Sequence, residues 1–202
     1  MQAALRKNAA MSLLPPPPSA TWLHQEARTG FEVVYFTDPG EGHHIEGLTT
    51  AHEDDHAWMV AYEIDVAADW RTRAAHVTHR TVRGTRSTDL ELDEGRWRVN
   101  GVPVSRLDGC LDVDLESSAM TNAFPVHRME LEVGQSSAAP AAYVRALDLA
   151  VERLEQTYTR LPDEDGREVY DYESPGFDFS CRLVFDTSGL VVSYPGIAVR
   201  IS

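Results

Sequence analysis

The sequence predicts an all-β protein, a barrel or a sandwich of roughly a dozen short strands with few helices. Long stretches alternate strictly between apolar and polar residues. Trp58, Val60, Tyr62, Ile64 and Val66 are separated by residues such as Glu63 and Asp65, and Phe177, Phe179, Cys181, Leu183 and Phe185 by Asp178, Ser180 and Arg182. Turn signals close these runs at Asp38-Pro39-Gly40, Asp93-Glu94-Gly95, Asn100-Gly101 and Ser188-Gly189. The composition, 43% hydrophobic and 25% charged, is that of an ordinary folded chain, which leaves enough apolar residues for a sizeable core.

Taken in order, residues 1–21 end in Pro15-Pro16-Pro17-Pro18 and read as a stiff, Pro-rich leader to a single β domain over 22–202. Phe31 to Phe36 and Ile45 to Ala51 are strands, and the alternating run from Trp58 has one buried side. A Thr- and Val-rich strand runs from Asp69 to about Val82, with Asp69, Arg71 and Arg73 on one face. Leu90 and Leu92 pair with Trp97 and Val99 in a hairpin, and Asn100-Gly101 predicts a type I′ turn, which needs positive φ at both central residues.

In an extended Arg106–Leu115, Leu107, Leu111, Val113 and Leu115 share one face and Asp108, Cys110, Asp112 and Asp114 the other. Val126 to Val133 is expected to be strand and Gly134 to Pro140 a connection. Leu147, Ala150, Val151, Leu154 and Tyr158 recur at helical spacing, so periodicity alone predicts a helix within Ala141 to Leu161. A meander through Leu190, Val192 and Tyr194, then Ile197, Val199 and Ile201, closes the chain.

The formal charge of -14, with 18 basic against 32 acidic residues, disfavours nucleic acid and anionic membrane surfaces as partners. No apolar run is long enough for a membrane-spanning helix. Cys110 and Cys181 fall in different predicted strands, and free thiols in a cytoplasmic protein are the expectation.

Two constellations suggest chemistry. His52-Glu53-Asp54-Asp55-His56 has the H-E-x-x-H spacing of zinc hydrolases, but that motif works on a helix, and here a strand follows at once; no metal or cofactor is expected. Asp112 and Asp114 lie two apart on one strand face, about 6–7 Å between Cα atoms, a separation at which carboxylate pairs serve glycoside hydrolysis. Arginines nearby would hold both ionised, and the Arg71 and Arg73 row would supply them if its strand lay opposite. A structural ion-pair ladder is then the leading reading, ahead of a ligand-contacting wall or a catalytic dyad.

An ordered series of motifs carries a family resemblance: Asp69-Trp70-Arg71-Thr72-Arg73, Arg96-Trp97 with Asn100-Gly101, Leu107-Asp108-Gly109-Cys110-Leu111-Asp112-Val113-Asp114-Leu115, Thr121-Asn122 with Pro125, Tyr158, Tyr170 with Tyr172, and Gly189-Leu190-Val191 with Tyr194-Pro195. Over about residues 22 to 200 the chain resembles the bacterial family named for glycolipid binding, formerly a domain of unknown function. The resemblance implies a split, half-open β barrel with one or two short helices, similar to lipoprotein-carrier half-barrels, and it reads Ala141 to Tyr158 as strands. The chain departs from the family pattern where a proline and an arginine are usual: Ala119 and His127 stand there, while Arg128 remains.

The reading that follows is a non-enzymatic binding protein for a lipid or glycolipid, with an apolar cavity and a polar wall. The candidate ligand-binding residues are Asp112, Asp114, Asn122, Arg71 and Arg73, with Trp97 and Tyr194. The alternatives are a glycoside hydrolase using Asp112 and Asp114 and, more distantly, a zinc hydrolase at His52 to His56.

Overall fold

The computed structural model describes residues 13–26, 28–38 and 40–202; the first twelve residues of the expected leader lie outside them. The strands are β1 (Ser19–His24), β2 (Thr29–Thr37), β3 (Gly42–Glu53), β4 (His56–Ala67), β5 (Thr72–Thr81), β6 (Gly84–Asp93), β7 (Arg96–Val99), β8 (Val102–Pro103), β9 (Asp112–Leu115), β10 (Ser136–Ala138), β11 (Ala141–Val144), β12 (Val151–Leu154), β13 (Thr157–Glu164), β14 (Arg167–Ser174), β15 (Phe179–Phe185), β16 (Val191–Tyr194) and β17 (Ala198–Arg200). One α-helix, α1 (Ala123–Met129), and three 3-10 turns complete the described elements.

Fourteen strands form one open antiparallel sheet in the order β10-β13-β14-β15-β16-β17-β1-β2-β3-β4-β5-β6-β7-β8, and β12-β11-β9 form a second, three-stranded sheet. This is the half-open, all-β barrel the family pattern implies. The joint between the two halves of the large sheet is β1, which pairs with β17 on one side and β2 on the other. Trp22 of β1 is fully buried there, and its indole N–H donates to the Val191 carbonyl at 2.7 Å.

Alternation explains the concave face. Trp58, Val60, Tyr62, Ile64 and Val66 of β4 are all buried, with Ile45, Val77, Leu90 and Phe185 from other strands. The small sheet and α1 contribute Val113, Leu115, Ala142, Val144, Phe124 and Val126 to the same continuous core. Asn100 and Gly101 both have positive φ, 51° and 76°, as the type I′ reading requires.

Three sequence expectations need correction, and one conflict between periodicity and the family resemblance falls to the resemblance. Only Asp112–Leu115 of the 106–115 stretch is extended, since Ser105–Leu107 is a 3-10 turn; Leu107 and Cys110, assigned to opposite faces, are both completely buried. The parity argument assumed one wet face, whereas β9 is covered on both. Residues 126–129 belong to α1 and not to a strand, Pro125 sitting in its first turn where no backbone donor is needed. The helical stripe within 141–161 resolves into β11, β12 and β13: Leu149 takes a left-handed φ of 59° between the first two, and Leu147 is exposed. The strand expected from Asp69 begins instead at Thr72, after a turn in which Trp70 has a φ of 62°.

The pairing registers bring the turns after β1, β3, β5, β14 and β16 to one end of the large sheet, which forms the mouth of the half-barrel. His52-Glu53-Asp54-Asp55-His56 is one of these turns. Asp54 and Asp55 have φ of 47° and 61°, and Glu53 pairs directly with His56 while His52 pairs with Ala57, so the two imidazoles leave the hairpin on opposite faces. The helical geometry of a zinc hydrolase is replaced by a tight hairpin.

Candidate functional site

Two cavities open at the mouth. The smaller, of about 260 Å³, runs between β9, β11, β14, β15 and β16. Asp114, Asn122 and Tyr194 line it, so three of the seven candidate residues are brought together. Beside them stand Glu116, Ser174 and Arg28, which the sequence reading did not single out.

The walls are aromatic. Tyr172, Phe179 and Tyr194 form a triangle of edge-on rings with centroids 6.0–6.2 Å apart, and Tyr143 faces Phe177 at 5.4 Å. Tyr172 and Phe179 point inward through plain strand alternation, whereas Phe177 enters from the 3-10 turn Pro175–Phe177.

Asp114 anchors the floor. The Thr121 hydroxyl donates to its Oδ1 at 2.9 Å and the Gln156 amide to its Oδ2 at 2.6 Å. Burial outweighs these bonds and pushes its carboxyl up to about 6. The Tyr158 hydroxyl lies 3.0 Å from Asn122 Oδ1 and 3.1 Å from Gln156 Oε1, which ties Asn122 to the same network. On the far side Glu116 accepts from the Ala146 backbone N–H at 2.7 Å.

Asp112 is not in the cleft. It is buried beneath the floor in a two-pronged pair with Arg128 of α1, Nε to Oδ1 at 3.1 Å and Nη2 to Oδ2 at 2.6 Å. Its carboxyl lies above the ordinary range because burial dominates, the Arg128 bonds pulling the other way. The arginine that neutralises the acidic row is therefore Arg128, with Arg71 a weaker, more distant charge. Arg71 pairs with its neighbour Asp69 at 3.2 Å, and Arg73 is exposed on β5. Trp97 is a core residue whose indole N–H donates to the Cys110 carbonyl at 3.0 Å. His127, at the departure from the family pattern, stacks on Trp70 with ring centroids 3.7 Å apart and is held neutral, its imidazole lowered by burial to about 4.

A second buried carboxyl supports the loop that carries Asn122. Glu32 of β2 shares the inward parity of Val34 and Phe36 and is completely buried. It accepts from the Tyr62 and Ser118 hydroxyls and, at 2.8 Å, from the Ala119 backbone N–H. Burial raises its carboxyl above the usual range. Within a strand otherwise rich in apolar residues, Glu32 at an inward position was the available signal for this support.

The second cavity, of about 760 Å³, lies over the turns after β3 and β5 and includes Trp58, His79, Val82 and Leu147. Arg28, which lines the smaller cleft, stacks over the Trp58 ring at 5.1 Å, so one cation–aromatic pair touches both cavities.

An open antiparallel half-barrel with an aromatic, carboxylate-floored cleft defines the class as a β-barrel-like protein. Residues 19–200 match the family described as "Putative glycolipid-binding", and the chain belongs to that family. It is similar to a DUF1089 family protein from Pseudomonas aeruginosa, whose crystal structure it matches with a TM-score of 0.71 at 27% identity, over 100% of this chain and 98% of that one. A beta-barrel-like protein of domain of unknown function DUF1849 from Brucella abortus shares the fold, with a TM-score of 0.51 at 12% identity, over 93% and 95% of the two chains. No curated protein matches the sequence. Among the described residues no helix is long and apolar enough to cross a membrane.

Proposed function

We propose that the protein binds a lipid or glycolipid at the mouth of the half-barrel without transforming it, the head group entering the cleft of Asp114, Asn122 and Tyr194. The observation that carries this reading is the convergence of polar groups on an aromatic-walled cleft. Ring faces suit the C–H faces of a sugar, while carboxylates and an amide accept from and donate to its hydroxyls. The cleft has room for one sugar ring, and the larger cavity beside the Arg28–Trp58 pair would take the start of an acyl chain. Asp112, Arg128 and Glu32 hold the floor and the Asn122 loop in place. The family description supports the same ligand class.

Glycoside hydrolysis by Asp112 and Asp114 gains one of its requirements, since Asp114 at about 6 is a weak acid suited to donating a proton. It lacks the other: Asp112 is enclosed by Arg128 and does not face the space that a substrate would occupy.

Calorimetric titration with octyl glucoside tests the binding reading. The expected result is saturable binding that Asn122→Ala and Tyr194→Ala each weaken about tenfold, the loss of one good hydrogen bond or ring contact. The reading fails if no glycoside or lipid binds, or if both variants bind like the parent.

A further inference from the structure

Arg28 stands apart from the other part-buried arginines. Arg128 is paired with Asp112, Arg160 with Asp163 and Glu168, and Arg200 with Asp186. Arg28 has no carboxylate partner among the described residues, and its Nη1 is buried without any hydrogen-bond acceptor there. A buried polar group left unmatched is destabilising, and a charged one more so. The Trp58 ring beneath the guanidinium offsets part of that cost but leaves the Nη1 donor unused.

The surroundings explain why no internal partner serves. Glu116 lines the same cleft without forming an ion pair to Arg28, one of its oxygens accepting from the Ala146 N–H, and Asp114 is held by Thr121 and Gln156 on the floor. His24, next to Arg28, is kept neutral by burial and by the Arg28 charge. Ser174 adds a hydroxyl: its Oγ is buried in the lining of the same cleft, beside the Tyr172 hydroxyl. Local turn geometry delivers Arg28, since its backbone N–H bonds to the Gln25 carbonyl at 3.2 Å in the turn between β1 and β2.

Resting on the reading of the cleft as a head-group site, we propose that this site selects an anionic head group, its carboxylate or phosphate oxygens seated on Arg28 and Ser174 and its hydroxyls on Asp114, Asn122 and Glu116. A guanidinium fork meets a planar carboxylate or a phosphate through two parallel bonds, a fit that a neutral sugar hydroxyl does not reproduce. The cleft is thus divided, with acceptors at the floor and a donor at the rim. This division fits a sugar bearing one acidic substituent better than a uniformly neutral or uniformly acidic one.

Titrations of the full chain with octyl glucoside, octyl glucuronide and dioctanoyl phosphatidylinositol at fixed ionic strength separate the cases. The parent protein is expected to bind at least one of the two anionic probes about tenfold or more tightly than the neutral one, as a charge-assisted bond implies. Preference for the glucuronide identifies a carboxylate ligand; preference for the phosphatidylinositol identifies a phosphate. Arg28→Met, which keeps an apolar stem over Trp58, is expected to abolish the preference, the anionic probes losing about tenfold or more relative to octyl glucoside, and Arg28→Lys to keep part of it. Near-ultraviolet circular dichroism establishes that each variant is folded. Equal binding of all three probes by the parent, or an undiminished preference in folded Arg28→Met, overturns the inference while the binding function stands. Failure of every probe to bind overturns both.

Discussion

Arg128→Met removes the partner of a buried carboxylate and retains most of the apolar stem. Asp112 is 2% exposed, so the orphaned charge cannot be rescued by water in place. Breaking such a pair from one side costs about 3–5 kcal/mol. An upper bound comes from the alternative open to Asp112, which is to take up a proton: from its ordinary value of 3.8, protonation at pH 7 costs about 4 kcal/mol, and at pH 5 about 2 kcal/mol. The variant is therefore expected to lose no more than about 4 kcal/mol at pH 7 and clearly less at pH 5. Urea unfolding followed by tryptophan fluorescence at the two pH values measures both, and Asp112→Asn/Arg128→Met should recover a large part of the loss because no charge is left to bury. A loss below about 1 kcal/mol at pH 7, a loss equal at both pH values, or no recovery in the double variant would refute the view of Asp112 as a buried ion held by Arg128.

Two further outcomes follow from the site. The Asp114 carboxyl is raised from 3.8 to about 6 in the folded chain, so the folded state holds this proton more tightly than the unfolded one; its contribution to stability is full below pH 4 and is lost as pH rises through 6, a swing of about 3 kcal/mol. Asp114→Asn should flatten that part of the pH–stability curve, gaining relative to the parent between pH 4 and pH 7, and a parent-minus-variant difference independent of pH would contradict it. Gly47 lies against the Tyr62 ring, where an added Cβ would sit 2.0 Å from Cζ; Gly47→Ala should cost about 1–3 kcal/mol in thermal or urea unfolding by pushing Tyr62 off Glu32, and unchanged stability would show that the ring moves freely.

The strands were legible where one face meets the core and the other meets water, as in β4, because burial there writes a period of two into the sequence. That signal disappears once both faces are covered. Ala141 to Val144 is buried at every position, and three short strands in succession imitate a helical stripe that only the family resemblance corrected. The candidate cleft was half legible for a related reason. Asp114, Asn122 and Tyr194 were identified, but the neutralising arginine was sought along the strand at Arg71 and Arg73, whereas Arg128 arrives from a helix turned by Pro125. Arg28 gave no sequence signal at all; what sets it apart is that it has no carboxylate partner among the described residues, which is a property of three-dimensional neighbours.

The position of β1 between β2 and β17 has a consequence for how the chain is made. Its partner on one side lies within a few residues, and on the other side Trp22 pairs with Arg200. A nascent chain can assemble the meander from β2 to β6 by local contacts as it emerges, but β1 must wait with one side bare until synthesis has passed residue 200. Trp22 would be the residue kept waiting longest, since its indole acceptor, Val191, belongs to the same late segment.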